Sequence, residues 1–226
     1  MMKQKIISAH KLTKIYKHPS GNVTVLKDTE FHAFKKESVA ITGESGRGKT
    51  TLLYLLAGLD SADSGSIELN GTRIDMLSER KMAVFRSEEI GFIFQHHFLL
   101  SDLDALSNAL LPLRITKQLN ETSIERIKNL FEKLGLSQRM THKPHELSGG
   151  ERQRVAVIRA LANNPSIIFA DEPTGSLDKE NALHLEEILF DLVREHSTTL
   201  IISTHSSRLA EHSERIVRIE DISGVR

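Results

Sequence analysis

Eight residues constrain this chain more than any other feature. Gly43-Glu44-Ser45-Gly46-Arg47-Gly48-Lys49-Thr50 lies between the short apolar run Ser38-Val39-Ala40-Ile41 and Thr51-Leu52-Leu53-Tyr54-Leu55-Leu56-Ala57, a stretch of helical composition that meets Gly58. Glycines at this spacing let the backbone curl so that successive N–H groups face inward at an anion, and the helix start adds partial positive charge. Strand, loop and helix in this order are the context a phosphate-binding loop requires. Lys49 is expected to bridge the β- and γ-phosphates of a bound nucleotide, and the Thr50 hydroxyl to ligate Mg²⁺. A glycine-rich turn that merely precedes a helix is the alternative, but such a turn has no need of Lys-Thr at its end.

The rest of the chain reads as elements built around that loop. Lys5 to Tyr16 and Val23 to Phe34 alternate in part between apolar and polar residues, with turn chemistry at His18-Pro19-Ser20-Gly21-Asn22, and are expected to form an antiparallel pair. Gly65 to Asn70 and Ile90 to Phe94 suggest further strands, with a helix within Ser78 to Arg86. From Ser101 to about Pro144 the pattern is helical: Leu103, Leu106 and Leu110, then Ile124, Ile127, Leu130, Phe131 and Leu134, stopped by Gly135. A helix from Arg152 to Ala162, a buried strand Ser166 to Ala170, a helix Glu180 to Arg194 and a strand Thr199 to Ser203 follow. Alternating strands and helices imply an α/β fold with a mostly parallel sheet. The expected organisation is a single domain over 1–226. Its core and an antiparallel β subdomain take 1–94 and 148–226, and an inserted α-helical subdomain takes about 95–147.

Composition excludes some classes of function and leaves others open. Lys plus Arg number 30 and Asp plus Glu 30, so no net field draws the chain to nucleic acid, and no nucleic-acid partner is expected. Cysteine is absent, which rules out a disulfide scaffold and thiolate metal sites and fits a reducing compartment. Met1-Met2-Lys3-Gln4-Lys5 turns polar too soon for a signal peptide, and no run reaches the roughly 18 to 20 apolar residues that span a bilayer. The expectation is a soluble, cytoplasmic protein that reaches a membrane only by docking onto a chain that spans it. His96-His97 have no third ligand at helical spacing and are expected to be surface residues rather than a metal site.

Two more segments carry chemistry. Ile167-Ile168-Phe169-Ala170-Asp171-Glu172 puts two carboxylates at the carboxyl end of a buried strand, where acids are costly unless they serve an ion. Leu147-Ser148-Gly149-Gly150-Glu151-Arg152-Gln153-Arg154 lies between the phosphate loop and this strand. Its glycines allow close backbone approach to a phosphate, Ser148 adds a hydroxyl donor, and the following helix directs its N-terminal dipole there. Taken singly, Ser148 would read as an ordinary N-cap and the acids as a solvated pair.

Together these three segments resemble the ATP-binding cassette (ABC) family, and the resemblance covers nearly the whole chain. It implies a P-loop NTPase, RecA-like core and a homodimer around two ATP·Mg²⁺, in which the Ser148-Gly149-Gly150 segment of one copy closes over the ATP held by the other. By resemblance Asp171 holds Mg²⁺ through water, Glu172 polarises the attacking water, and Gln95 touches Mg²⁺ and senses a membrane partner. Likewise His205 contacts the γ-phosphate, Tyr16 stacks on adenine, and Ser176-Leu177-Asp178 couples the two sites. The expected catalytic residues are Glu172, His205 and Lys49. Expected around ATP are Tyr16, the loop from Gly43 through Glu44, Ser45, Gly46, Arg47, Gly48, Lys49 and Thr50 to Thr51, then Gln95, Ser148, Gly149, Gly150 and His205. Thr50, Gln95 and Asp171 are expected at the metal.

Gly58-Leu59-Asp60, Ile90 to Gln95 and Ala170 to Asp178 are most similar to the branch with lipoprotein-release and macrolide-export ATPases. That likeness implies an integral membrane permease as partner, work at the inner face of the cell membrane, and export or extrusion of lipoprotein, peptide or antibiotic. Two positions depart from the family pattern: Arg47, expected to point to solvent, and Ile158 in place of a common alanine. Phe98-Leu99-Leu100, with Leu103 and Leu106, is expected to be mostly core, the remainder lining a groove for a permease helix. The rival readings are soluble ABC ATPases of DNA repair or of the ribosome and a small-molecule kinase. The first class inserts long coiled coils, the second carries two cassettes, and the third has no use for Ser148-Gly149-Gly150.

Overall fold

The alternating segments at the start of the chain are two long strands, and the apolar run before the glycines is a third. The computed structural model of the chain describes residues 4–19 and 21–225; Ser20, one of the expected turn residues, and Met1 to Lys3 lie outside them. The strands are β1 (Lys5–Tyr16), β2 (Val23–Phe34) and β3 (Ser38–Thr42), followed by helix α1 (Lys49–Leu56), strands β4 (Ser64–Leu69) and β5 (Thr72–Arg73), and helix α2 (Glu79–Glu89). Strand β6 (Ile90–Ile93) then leads to helices α3 (Ala105–Ile115), α4 (Glu121–Lys133) and α5 (Gly149–Leu161), strand β7 (Ile167–Asp171) and helix α6 (Lys179–Glu195). The chain continues through β8 (Thr199–Ser203), α7 (Ser207–Glu211), β9 (Arg215–Arg218) and α8 (Ile219–Ile222). The described residues fall into two units, those within 1–83 together with those within 198–226, and those of 84–197.

In the first unit, β1 and β2 pair antiparallel from Lys5 opposite Phe34 to Tyr16 opposite Val23, and β4 pairs with the other edge of β1. The unit also holds a parallel group. β3 runs beside β8, Ser38 opposite Leu200, and beside β9, Thr42 opposite Arg218. Val39, Ala40 and Ile41 are fully buried, as are Leu200, Ile201 and Ile202. Each valine, leucine or isoleucine among them contributes about 1.5–3 kcal/mol on leaving water. Three parallel neighbours end at the same edge, so the residues after β3, β8 and β9 emerge side by side.

In the second unit, β6 and β7 are parallel, with Ile90 opposite Ile167 and Ile93 opposite Ala170. β7 is buried throughout. α5 lies against β6 so closely that a Cβ at Gly91 would stand 2.4 Å from the Ala160 carbonyl oxygen. α4 starts at a capping box of Asn120 and Ser123 and turns Ile127, Leu130 and Phe131 inward. The fold is therefore α/β, with an antiparallel sheet and parallel strands, as the alternation of elements implied.

Several boundaries differ from the sequence reading. α5 begins at Gly149, three residues before the expected Arg152, because Ser148 and Glu151 cap it reciprocally. The last turn of sequence holds three elements that were not expected: α7, β9 and α8. β9 is four residues long with two arginines, too short and too polar to show a period, and its pairing with β3 is what makes it a strand. The run Phe98-Leu99-Leu100 is not mostly core: Phe98 is 62% and Leu100 48% exposed. Asn108 explains why. Fully buried, it accepts from Leu100 N at 2.8 Å and donates to Leu100 O, Leu103 O and Asp104 O, holding this stretch as an ordered surface loop.

Candidate nucleotide-binding site

At the end of β3 the loop turns where its glycines permit. Gly43, Gly46 and Gly48 have φ of 140°, 80° and 93°, backbone conformations that side chains other than glycine adopt with strain. Gly43 has a second reason to lack a side chain, since a Cβ there would stand 2.6 Å from both Glu220 Oε1 and Ile219 Cγ2. The Lys49 ammonium is folded back on the loop and donates to the carbonyl oxygens of Gly43 at 2.9 Å and Glu44 at 3.0 Å. It is nearly buried, at 8% exposure, and an ammonium has three donors, so a phosphate oxygen can be added to these two acceptors. Thr50 opens the exposed side of α1, while Ser45 and Gly46 lie on the open side of the loop. A Cβ at Gly46 would meet no atom within 4 Å.

Neighbouring strand ends complete this edge. His205 lies beyond β8, and with Thr42, Gly43, Glu44 and Arg47 it lines a cleft of about 590 Å³. Glu220 lies beyond β9, and its Oε1 accepts from Glu44 N at 3.1 Å. Its own backbone N–H comes first among the contacts that hold this carboxyl below the usual range; burial opposes them, and Glu44 N, Arg47 and Lys49 add to them. Arg47 donates from Nε and Nη2 to Glu44 Oε2 at 3.2 and 3.1 Å. It stays about half exposed, in keeping with a side chain expected in solvent. Tyr16, 42% exposed, ends β1 and donates its hydroxyl to Asp60 Oδ2 at 2.9 Å.

The second unit carries the remaining candidates. The parallel register of β6 and β7 brings two carboxyl ends together, so Gln95 and Asp171-Glu172 leave adjacent strands. Asp171 is the last residue of β7 and is 5% exposed. Glu172 follows with φ 44°, a left-handed conformation that costs a non-glycine residue about 1–3 kcal/mol and is found most often at functional sites. The Ser176 hydroxyl donates to Gln95 O at 3.3 Å, tying the segment after β7 to the segment after β6.

Ser148 is exposed, and its Oγ accepts from Glu151 N at 3.2 Å while the Glu151 carboxylate accepts from Ser148 N at 2.7 Å. Burial would raise the Glu151 carboxyl, but hydrogen bonds from Arg139 and Ser148 overcome it and hold the pKa at about 2. The cap uses a lone pair of the Ser148 hydroxyl, which is both donor and acceptor. The two glycines differ. A Cβ at Gly150 would meet Asn181 Oδ1 at 2.7 Å, whereas one at Gly149 would meet only Leu177 at 3.9 Å and a guanidinium nitrogen of Arg152 at 4.0 Å.

Sequence reasoning missed the residues that hold these groups in place. Gln153, fully buried, donates to Phe94 O at 3.1 Å and pairs its Oε1 with His97 Nδ1 at 2.8 Å. Arg159 donates to His97 O and Phe98 O, each at 2.7 Å. His97 is thus half-buried and bonded rather than a surface residue. Burial, the larger influence, pushes its pKa down against the pull of Gln153.

Could these residues hold a nucleotide and an ion? Among the described residues no three His, Cys, Asp or Glu side chains gather into a metal-holding group. Thr50, Gln95 and Asp171 offer a hydroxyl, a carboxamide and one carboxylate, all oxygen donors. Each is a donor of the kind that Mg²⁺ takes beside waters and phosphate oxygens.

A family model described as ABC transporter matches residues 26–175. The lipoprotein-releasing system ATP-binding protein LolD of Porphyromonas gingivalis is 46% identical, over 96% of this chain and 97% of that one. The protein of the same name from Cytophaga hutchinsonii is 44% identical, over 96% and 98%. A dimeric structure of the ATP-binding cassette MJ0796, in a post-hydrolysis state bound to ADP and Pi, superposes with a TM-score of 0.87 at 33% identity, covering 94% of this chain and 93% of that one.

Proposed function

The chain belongs to the ABC transporter family, and from that premise we propose that it hydrolyses ATP as one of two facing copies and so drives lipoprotein release by a separate membrane permease. It is an ATPase subunit of a transporter by family. The observation that carries the two-copy reading is the start of α5. A capped helix N-terminus with an exposed serine and an open Gly149 edge presents hydrogen-bond donors outward, where a phosphate from a second copy would meet them.

In this reading Lys49 and the loop amides hold the β- and γ-phosphates, and Tyr16 carries the base. Ser148 and Gly149 of the facing copy donate to the γ-phosphate. Glu172 orients the attacking water and accepts its proton, and His205 positions the γ-phosphate. Thr50, Gln95 and Asp171 would hold Mg²⁺, which when bound neutralises charge on the phosphate oxygens. Fixed donors aimed at developing charge supply most of the catalysis. Among the described residues no helix is long and apolar enough to cross a membrane. The permease would bring the subunit to the inner membrane face, and the names of the relatives favour lipoprotein over peptide or antibiotic as cargo.

The test is Glu172→Gln in purified protein with ATP and Mg²⁺. It is expected to accumulate a stable ATP-bound dimer by light scattering and to lose hydrolysis, while the wild type co-purifies with a permease rather than ribosomes or DNA. A strictly monomeric protein that turns over ATP at full rate with Ser148 replaced would overturn the proposal.

A further inference from the structure

The end of β1 and the loop after α1 are tied together around one aromatic ring. Tyr16 Oη donates to Asp60 Oδ2 at 2.9 Å. Lys14 Nζ donates to Asp60 Oδ1 at 2.8 Å and to Ser61 O at 2.7 Å, and lies 5.1 Å from the centre of the Tyr16 ring. Asp60 Oδ1 also accepts from Ser61 N at 2.7 Å. One residue further along β1, Ile15 N donates to Asp63 Oδ2 at 2.7 Å. Lys14 is 8% exposed, an unusual burial for a lysine, while Tyr16 is 42% exposed.

A ring at a strand end with two free torsions would sample several rotamers, and each would have to be frozen when a base stacked on it. Here the hydroxyl is pinned at one end by a carboxylate that is itself pinned by an ammonium and an amide. Burial pushes the Asp60 carboxyl up, yet the hydrogen bonds from Lys14, Ser61 and Tyr16 outweigh it and keep the group ionised. A cation over one face draws π density toward itself and leaves the other face better suited to a flat purine.

We propose that Asp60 and Lys14 are positioning residues for the nucleotide base: Asp60 fixes the Tyr16 hydroxyl, Lys14 fixes Asp60 and covers one face of the ring, and the purine stacks on the face left open. This rests on the reading that Tyr16 carries the base. Neither Asp60 nor Lys14 touches the nucleotide, and both act through Tyr16. The arrangement preorganises the base platform before ligand arrives.

The experiment is calorimetric titration of the full chain with ATP and, separately, with tripolyphosphate, which has the phosphates and no base. Asp60→Ala and Tyr16→Phe are each expected to weaken ATP about fivefold, the worth of one hydrogen bond, and to leave tripolyphosphate unchanged. The double variant is expected to weaken ATP about fivefold again rather than about twenty-five-fold, because both changes remove the same bond. Asp60→Asn, which keeps an acceptor oxygen, is expected to recover most of the loss and guards against a folding defect in the alanine variant. Unchanged ATP affinity in Asp60→Ala, or equal weakening of ATP and tripolyphosphate, would overturn the proposal while leaving the reading of Tyr16 intact. If Tyr16→Ser binds ATP as the wild type does, the reading of Tyr16 fails and the proposal falls with it.

Discussion

Glu220 Oε1 accepts a hydrogen bond from the backbone nitrogen of Glu44, 176 positions earlier in the chain. The register of β3 with β9 makes this possible: Thr42 stands opposite Arg218, so two more residues along each strand bring Glu44 and Glu220 together. The first turn of the phosphate loop is thus tied down by the last elements of the protein. Glu220→Ala is expected to raise the Kd for ATP about threefold to tenfold, the range for a hydrogen bond to a charged group weakened by exposure, with Glu220→Gln nearer the wild type. Gly43→Ala is expected to be worse. It meets both the positive φ and the Glu220 carboxylate, at about 1–3 kcal/mol for the backbone alone. Nucleotide titration of the three variants checks the order.

Gly150 is confined by Asn181, whose Nδ2 in turn donates to Asp178 Oδ2 at 2.7 Å. Gly150→Ala is expected to displace the start of α5 and to reduce ATPase activity at least about tenfold, since overpacking of a tight contact costs about 1–3 kcal/mol. Adding Asn181→Ala removes the atoms that a new Cβ would meet at 2.7 and 3.0 Å. Partial recovery of activity in the double variant is the expected result; no recovery would mean that the glycine serves the nucleotide instead.

Under the proposed function, the exposed loop after β6 is expected to separate coupling from hydrolysis. Leu100→Asp, at a position 48% exposed, is expected to leave the thermal midpoint almost unchanged and to keep basal ATPase activity while abolishing stimulation by a permease. Leu99→Asp, at a less exposed position, is expected to lower the midpoint as well. Reconstitution with the permease in vesicles measures the first effect and calorimetric unfolding the second.

Acid acts on the cap of α5. The Glu151 carboxyl is depressed from 4.5 to about 2, so the stability it contributes is complete above about pH 4.5 and drains away as pH falls toward 2. Glu151→Gln is expected to cost about 1 kcal/mol at neutral pH, the usual worth of a helix cap, and to flatten the stability profile between those two values. Denaturant unfolding of both forms across that window provides the comparison.

Much of the fold was legible because its signals are local. The alternation in β1 and β2, the apolar run of β3 and the glycines after it each announce their own structure, and the elements from β6 to β8 follow from periodicity. What could not be read depends on distant pairing. β9 becomes a strand only beside β3, and Glu220 meets Glu44 only because of that pairing. Asp60 stood within a family-like tripeptide, yet no spacing rule connects it to Lys14 and Tyr16. Phe98 and Leu100 looked like core because they are apolar; the buried amide of Asn108 holds them at the surface, and a single polar residue eight positions away gives no such warning. Gly150 reads as a place of close approach to a phosphate, and no spacing rule shows that a Cβ there would also meet Asn181.

Gln153 and Arg159 lie about one and two-thirds turns apart on α5, and each grips backbone of the segment after β6. The helix capped by Ser148 and the loop that displays Leu100 are therefore fastened to one another within the second unit. Under the proposed function, a change at either side chain is expected to shift the helix start and the loop together.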